Sequence, residues 1–188
     1  MSNALVATLS ELSQLEQPLA AGHILFRAGD PVRVLFLVVA GTVRLTRSLP
    51  HGSPLVLQSA GPGAIVAEAS LFADRYHCEG AAAEDSVVRP VPLRRLKEAL
   101  AKRPDFSLAL TCYLTQEVQR ARTHAEILSL KTVAARIDAW VATEEGPLPP
   151  KGQWRRVAAE IGVTPEALYR EFARRRRRRL GRSRGPEA

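Results

Sequence analysis

The pattern of apolar and polar positions changes twice along this chain. From Ile24 to about Pro92 it consists of short β-rich runs punctuated by glycine. Ile24-Leu25-Phe26 precedes Ala28-Gly29-Asp30, Val34 to Val39 leads through Ala40-Gly41, and Thr42 to Thr46 alternates polar with apolar residues. Alternation at period two suits a half-buried strand. A hairpin through Pro50-His51-Gly52 leads to Leu55-Val56-Leu57 and Gly61-Pro62-Gly63; Cys78 to Ala83 and Ser86 to Val91 complete the set. Short strands at this spacing predict an antiparallel barrel or sandwich.

The period then lengthens. Leu93 to Lys102 reads as a short helix stopped before Pro104. From Pro104 to Lys131 there is neither glycine nor further proline, and Leu110, Leu114, Val118, Ala121, Ala125 and Leu128 recur at spacings of three and four. That predicts one amphipathic helix of roughly 25 residues, about 40 Å long. Its narrow apolar stripe fits packing on a second copy of the chain, or else across its own barrel. Val133 to Ala142 makes another helix, and Glu144 to Gly152, with three prolines, a loop. Beyond it Val157, Ala158 and Ile161 form one apolar face. Gly162 can supply the positive φ that ends a helix, and Thr164-Pro165 reads as cap and first residue of the next. Two short helices joined by such a turn describe helix-turn-helix.

Charge sharpens this division. Residues 151–188 hold 12 of the 27 Lys+Arg but 4 of the 19 Asp+Glu, so the whole net charge of +8 lies there and the first 150 residues sum to zero. Six consecutive arginines, Arg174 to Arg179, follow the helix-turn-helix. A cationic patch beside a groove-reading motif is the electrostatic footprint of a nucleic-acid binder. Two cysteines, Cys78 and Cys112, are too few for a disulfide framework, and the longest apolar run, Val34 to Ala40, is far too short to span a bilayer. The N-terminal segment carries Glu11 and Glu16 and lacks a signal-peptide pattern. These features predict a soluble cytoplasmic protein without a membrane partner.

Barrel, long helix and helix-turn-helix, in this order, resemble the cyclic-AMP receptor/fumarate-nitrate regulator (CRP/FNR) family of bacterial transcription factors. The residues that carry the resemblance are Gly22 to Asp30, Leu35 to Leu45, Pro62-Gly63, Ala67-Glu68-Ala69-Ser70-Leu71-Phe72 and Ala158 to Glu166. It implies an α+β fold: a jelly-roll, cyclic-nucleotide-binding-like barrel over residues 1–103, a dimerisation helix over 104–131 and a DNA-binding domain over 132–188. It also implies a homodimer that reads a palindromic operator in double-stranded DNA, with RNA polymerase as a further partner.

In nucleotide-binding relatives a Gly-Glu pair opens the phosphate cassette, the Glu takes the ribose hydroxyl, and an Arg ten residues on holds the cyclic phosphate. Here the pair is Ala67-Glu68, but Cys78 and Glu79 stand where the Arg and its Ser or Thr are expected. A thiol offers a phosphate no cation and a carboxylate repels it. Cyclic nucleotide is therefore disfavoured as effector, with Arg75 and Arg122 the cations available to replace the missing one. His77, Cys78 and Cys112 are candidates for zinc, copper or haem iron, or for a redox thiol. Adjacent His77 and Cys78 on a strand point to opposite faces, and a buried cysteine also serves as a small apolar residue. No catalytic grouping appears, so an enzyme is not expected.

On the recognition helix, capped by Thr164, Glu166 can accept from a cytosine amino group and Arg170 can fork onto guanine; Tyr169 is expected to face outward beside them. The family continues from that helix into a β-hairpin wing, whereas this chain runs through the arginines without a strand pattern. A helix extended through them would put positive charge on every face. Arg174, Arg175, Arg176 and Arg177 are thus expected on a frayed tail that touches phosphates without reading sequence. The rival reading is a dimeric sensor or scaffold that binds DNA only non-specifically.

Overall fold

The computed structural model describes residues 3–48, 54–143 and 150–182. The turn expected at Pro50-His51-Gly52, residues 144–149 of the proline-rich loop and the tail from 183 onward lie outside the described residues. The chain folds as two compact units, Met1–Val118 and Gln119–Ala188, so that the long helix contributes to both.

The first unit opens with α1 (Asn3–Leu12) and β1 (Gln17–Leu19). There follow β2 (Ile24–Phe26), β3 (Val34–Ala40), β4 (Val43–Ser48), β5 (Pro54–Ala60), β6 (Ile65–Val66), β7 (Glu79–Ala82) and β8 (Ser86–Pro92). They form two four-stranded antiparallel sheets, ordered β1-β8-β3-β6 and β2-β7-β4-β5. This is the expected jelly-roll. The continuous apolar run of β3 follows from its place between β8 and β6, where Leu35 to Val38 are all buried. In β4 only Val43 and Leu45 are buried, hence the alternation.

Phe26 stacks on Phe36 and Tyr76 at centroid distances of 5.9 and 4.0 Å. Glycine at position 80 makes room for this stack, because a Cβ there would lie 2.6 Å from the Phe26 ring. Helix α1 closes the barrel with Leu5 and Leu9, each 1% exposed, and pairing of β1 with β8 extends the first sheet. Neither element is among those the sequence pattern predicts, because the regular alternation begins only at Ile24.

Helix α2 (Leu93–Lys102) and the start of α3 (Pro104–Ser129) complete this core through Leu96, Ala99, Phe106, Leu110 and Tyr113. The Tyr113 hydroxyl accepts a hydrogen bond from the Ile65 backbone N–H, 3.0 Å. Leu110 and Leu114, expected on a stripe facing a second copy, instead pack into the barrel. Leu108, Thr111, Cys112, Thr115 and Val118 are among the exposed positions of that part of α3, on the opposite side; Ala121 and Ala125 are exposed further along.

The second unit packs the end of α3, α4 (Val133–Thr143), α5 (Trp154–Glu160) and α6 (Pro165–Arg182) around Ile127, Ile137, Trp140, Val157, Ala158, Ile161 and Leu168. Among the described residues no helix is long and apolar enough to cross a membrane.

Candidate effector pocket and nucleic-acid interface

Two features of the backbone place the barrel's candidate residues. Ala67 adopts the left-handed conformation, φ 69°, which costs a residue with a Cβ roughly 1–2 kcal/mol. Glu68–Ser70 then form a single 3-10 turn that carries the Glu68 side chain inward. Its Oε2 is buried without a hydrogen-bond partner. Burial, aided by the nearby Glu117 carboxylate on α3, pushes the carboxyl up to about 7 against the opposing pull of the backbone N–H groups of Glu68 and Ala69. Glu117 accepts a hydrogen bond from Gln58 Nε2 on β5, 3.2 Å.

Cys78, just ahead of β7, is 2% exposed. Burial raises its pKa and Glu68 adds to this, while Arg47 lowers it, so the group is a neutral thiol at pH 7. Where the resemblance places the phosphate-binding cation this chain thus has the neutral Cys78 thiol, which offers a phosphate anion no charge, with the Glu68 carboxyl and the Arg47 cation acting on it.

The other barrel candidates lie apart. Arg75 is exposed, and its Nη1 donates to the Gly29 carbonyl at 2.7 Å, so it does not replace the missing cation. His77 faces outward with Nδ1 3.3 Å from Ser70 Oγ, opposite in direction to Cys78. Glu79 is half-buried and pairs with Thr46 across the sheet. Arg122, on the second unit's part of α3, is exposed, as is Cys112. Among the described residues no group of three His, Cys, Asp or Glu side chains is placed to hold a metal. Sequence reasoning missed Gln58 and Glu117, because nothing local says that positions 59 residues apart share a site.

The helix-turn-helix forms as its local chemistry dictates. Gly162, φ 63°, ends α5, with the Val163 N–H donating to the Ala158 carbonyl, 2.9 Å. Thr164 caps α6, its hydroxyl accepting from the Ala167 N–H at 3.2 Å, and Pro165 is the first helical residue. Val157, Ala158, Ile161 and Leu168 are fully buried between the helices. Glu166 and Arg170 are both exposed, one turn apart on a single face. Tyr169 departs from expectation. It is half-buried, its ring 5.3 Å from that of Trp154, which also packs on Phe172 at 4.4 Å.

The arginines depart further. Instead of fraying, α6 runs on to Arg182. Arginine is a good helix former, and two carboxylates relieve the repulsion expected of the run. Glu171 receives Arg174 Nη2 at 2.7 Å and Arg175 Nε at 3.0 Å; Asp138 on α4 receives Arg175 Nη1 at 2.7 Å. Arg175 Nη2 also donates to the Ala134 carbonyl, 3.0 Å. Arg175 is therefore held inside the unit, whereas Arg174, although paired with Glu171, stands exposed with Arg176 and Arg177.

Residues 16–103 match the sequence profile of the cyclic nucleotide-binding domain. The chain is 28% identical over 137 residues to a CRP-like cAMP-activated global transcriptional regulator of Mycobacterium tuberculosis, a match covering 72% of this chain and 60% of that one. It is 24% identical over 177 residues to the transcriptional activator protein anr of Pseudomonas aeruginosa, covering 89% and 72%. Among solved structures, the c-di-GMP responsive global regulator CLP of Xanthomonas campestris superimposes with a TM-score of 0.73 at 18% identity, covering 95% of this chain and 94% of that one. FixK2 of Bradyrhizobium japonicum gives 0.72 at 20% identity, covering 86% and 83%. At such identities the structures speak for the fold, and the sequences for descent. Residues 16–103 thus match the cyclic nucleotide-binding domain family, and with the long helix and helix-turn-helix that follow them the chain is similar in sequence and fold to transcriptional regulators of the CRP/FNR type.

Proposed function

We propose that this protein is a homodimeric DNA-binding regulator. Its α6 reads base edges with Glu166 and Arg170, and Thr164, Arg174, Arg176 and Arg177 meet phosphates. The observation that carries the reading is the exposed Glu166/Arg170 pair on a capped helix whose opposite face is buried. Arg175 is left out of the DNA-contacting set because it is tied to Asp138 and Glu171. The two copies meet along the exposed side of α3, through Val118, Ala121 and Ala125 rather than Leu110 and Leu114. The barrel answers a small molecule that is neutral or cationic, since Glu68 and Glu117 oppose an anion.

Selection from a pool of random duplexes, at physiological salt with excess competitor DNA, tests the reading. A palindrome should be enriched. Arg170→Ala should weaken binding to it by about 1–3 kcal/mol and relax preference at one base position in each half-site. Enrichment of no sequence, with binding governed by salt alone, would mean a dimeric scaffold that holds DNA without reading it.

A further inference from the structure

Besides the apolar core that the end of α3 shares with α4, α5 and α6, one polar side chain of α4 ties the helix-turn-helix to α3. Helix α3 ends at Ser129 and α4 begins at Val133, capped by Thr132, whose hydroxyl accepts from the Ala135 N–H at 3.1 Å. In the first turn of α4, Arg136 spreads its guanidinium across two helix ends. Nε donates to the Leu130 carbonyl at 2.8 Å and Nη2 to that of Leu128, also 2.8 Å. On the other side Nη1 donates to the carbonyls of Ile161 and Gly162, at 3.0 and 2.9 Å, in the turn between α5 and α6.

These carbonyls lie at helix C-termini, where acceptors lack intrahelical partners and the helix dipole is negative. A planar cation with five fixed donors can serve both ends at once, which an ammonium on a flexible stem cannot. Two further interactions tighten the same junction. His124 Nε2, on α3, lies 2.6 Å from the Glu160 carbonyl and must donate, because a carbonyl only accepts. A Cβ at Gly162 would meet Leu128 Cδ2 at 2.7 Å, so only glycine lets the turn approach α3 this closely.

We infer that Arg136 is a positioning residue: it fixes the direction of α6 relative to Gln119–Ser129 of α3, and so the separation at which two recognition helices meet DNA. The second clause rests on the DNA-reading proposal above; the first does not. α6 starts three residues after Gly162, and Val157, Ala158, Ile161 and Leu168 share one apolar core with Ile127 of α3 and Ile137 and Trp140 of α4, so losing Arg136 loosens the direction of the turn and of α6 while that core keeps the unit folded.

The test uses the full chain with Cys112→Ser and nitroxide labels at Glu126→Cys and Ala173→Cys, both exposed, diluted into excess unlabelled chain. The Arg136 parent should give one narrow label-to-label distance. Arg136→Gln should broaden it with helix content by circular dichroism unchanged; an equally narrow distance in the variant overturns the inference. If the glutamine chain does not fold, Arg136→Lys, which keeps the charge but not the fork, carries the same measurement. On the duplex enriched by the parent, Arg136→Gln should lose about tenfold or more in affinity while a single half-site duplex binds as before. Equal losses on both duplexes would refute the spacing role. Enrichment of no duplex by the parent defeats the DNA reading, and the label distance still decides whether Arg136 positions α6.

Discussion

Glu68 is held by the fold in a place that suits it only when protonated. Its carboxyl titrates near 4.5 in the unfolded chain and at about 7 in the folded one. Below 4.5 it is neutral in both states and costs nothing. As pH rises from 4.5 through 7 the folded state must accept a buried charge, so stability falls over that window and stays lower above it. Glu68→Gln should abolish this fall. Relative to the parent it should gain on the order of 2–3 kcal/mol between pH 4 and pH 8, read as the difference in urea midpoint at the two values. A parallel pH dependence in parent and variant would show that Glu68 is solvated. The sequence made Glu68 visible because Ala67-Glu68 stands in a recognisable pattern. It could not show that the charge facing it is Glu117, since that pairing is made when β5, the 3-10 turn and α3 come together.

At the scale of elements, α6 is the case in which local rules pointed the wrong way. Six like charges in a row predict fraying, but two of them have partners: Glu171 one turn back on α6, and Asp138 on α4. Arg175→Gln should therefore lower the stability of the second unit by roughly 1 kcal/mol, several degrees in melting temperature, and leave the salt dependence of DNA binding nearly unchanged. Arg176→Gln with Arg177→Gln should do the reverse: melting unaltered, and the slope of log affinity against log salt reduced by about 0.9 for each phosphate no longer neutralised.

Acid provides a further test of the same ion pairs. The hydrogen bond from Arg174, with that from Arg175, holds the Glu171 carboxyl below its ordinary 4.5. Its contribution is therefore complete above that value and disappears as pH falls through the lower, folded-state one. Helicity lost on acidification below 4.5 should be smaller in Glu171→Gln, which has already given up the charge. The other elements obeyed local rules. Gly162, Thr164 and Pro165 mark the turn of the helix-turn-helix because capping and positive φ need only the residues beside them.

For the whole molecule, the family resemblance and the pocket chemistry part company. The fold is one whose family profile is named for cyclic nucleotides, yet a buried neutral thiol, Cys78, stands where the resemblance places the phosphate-binding cation. A ligand that binds the native state raises its stability by RT ln(1 + [L]/Kd), about 2.7 kcal/mol at a hundredfold excess over Kd. Millimolar cyclic AMP should leave the melting temperature unchanged. A rise of several degrees would mean that some other cation reaches the phosphate.

By itself the sequence determined what depends on neighbours along the chain: the order of most strands and helices from Ile24 onward, the uninterrupted length of α3, the turn between α5 and α6, and the concentration of charge after residue 150. Tertiary structure decided which side of α3 the barrel takes, which carboxylate Glu68 meets, and which arginines remain exposed. Each of these turns on partners far apart in the chain, 59 positions for Gln58 and Glu117 and 37 for Arg175 and Asp138. Burial and charge pairing are properties of proximity in space, and periodicity along a chain carries only the part of that proximity made within a helical turn or across a strand.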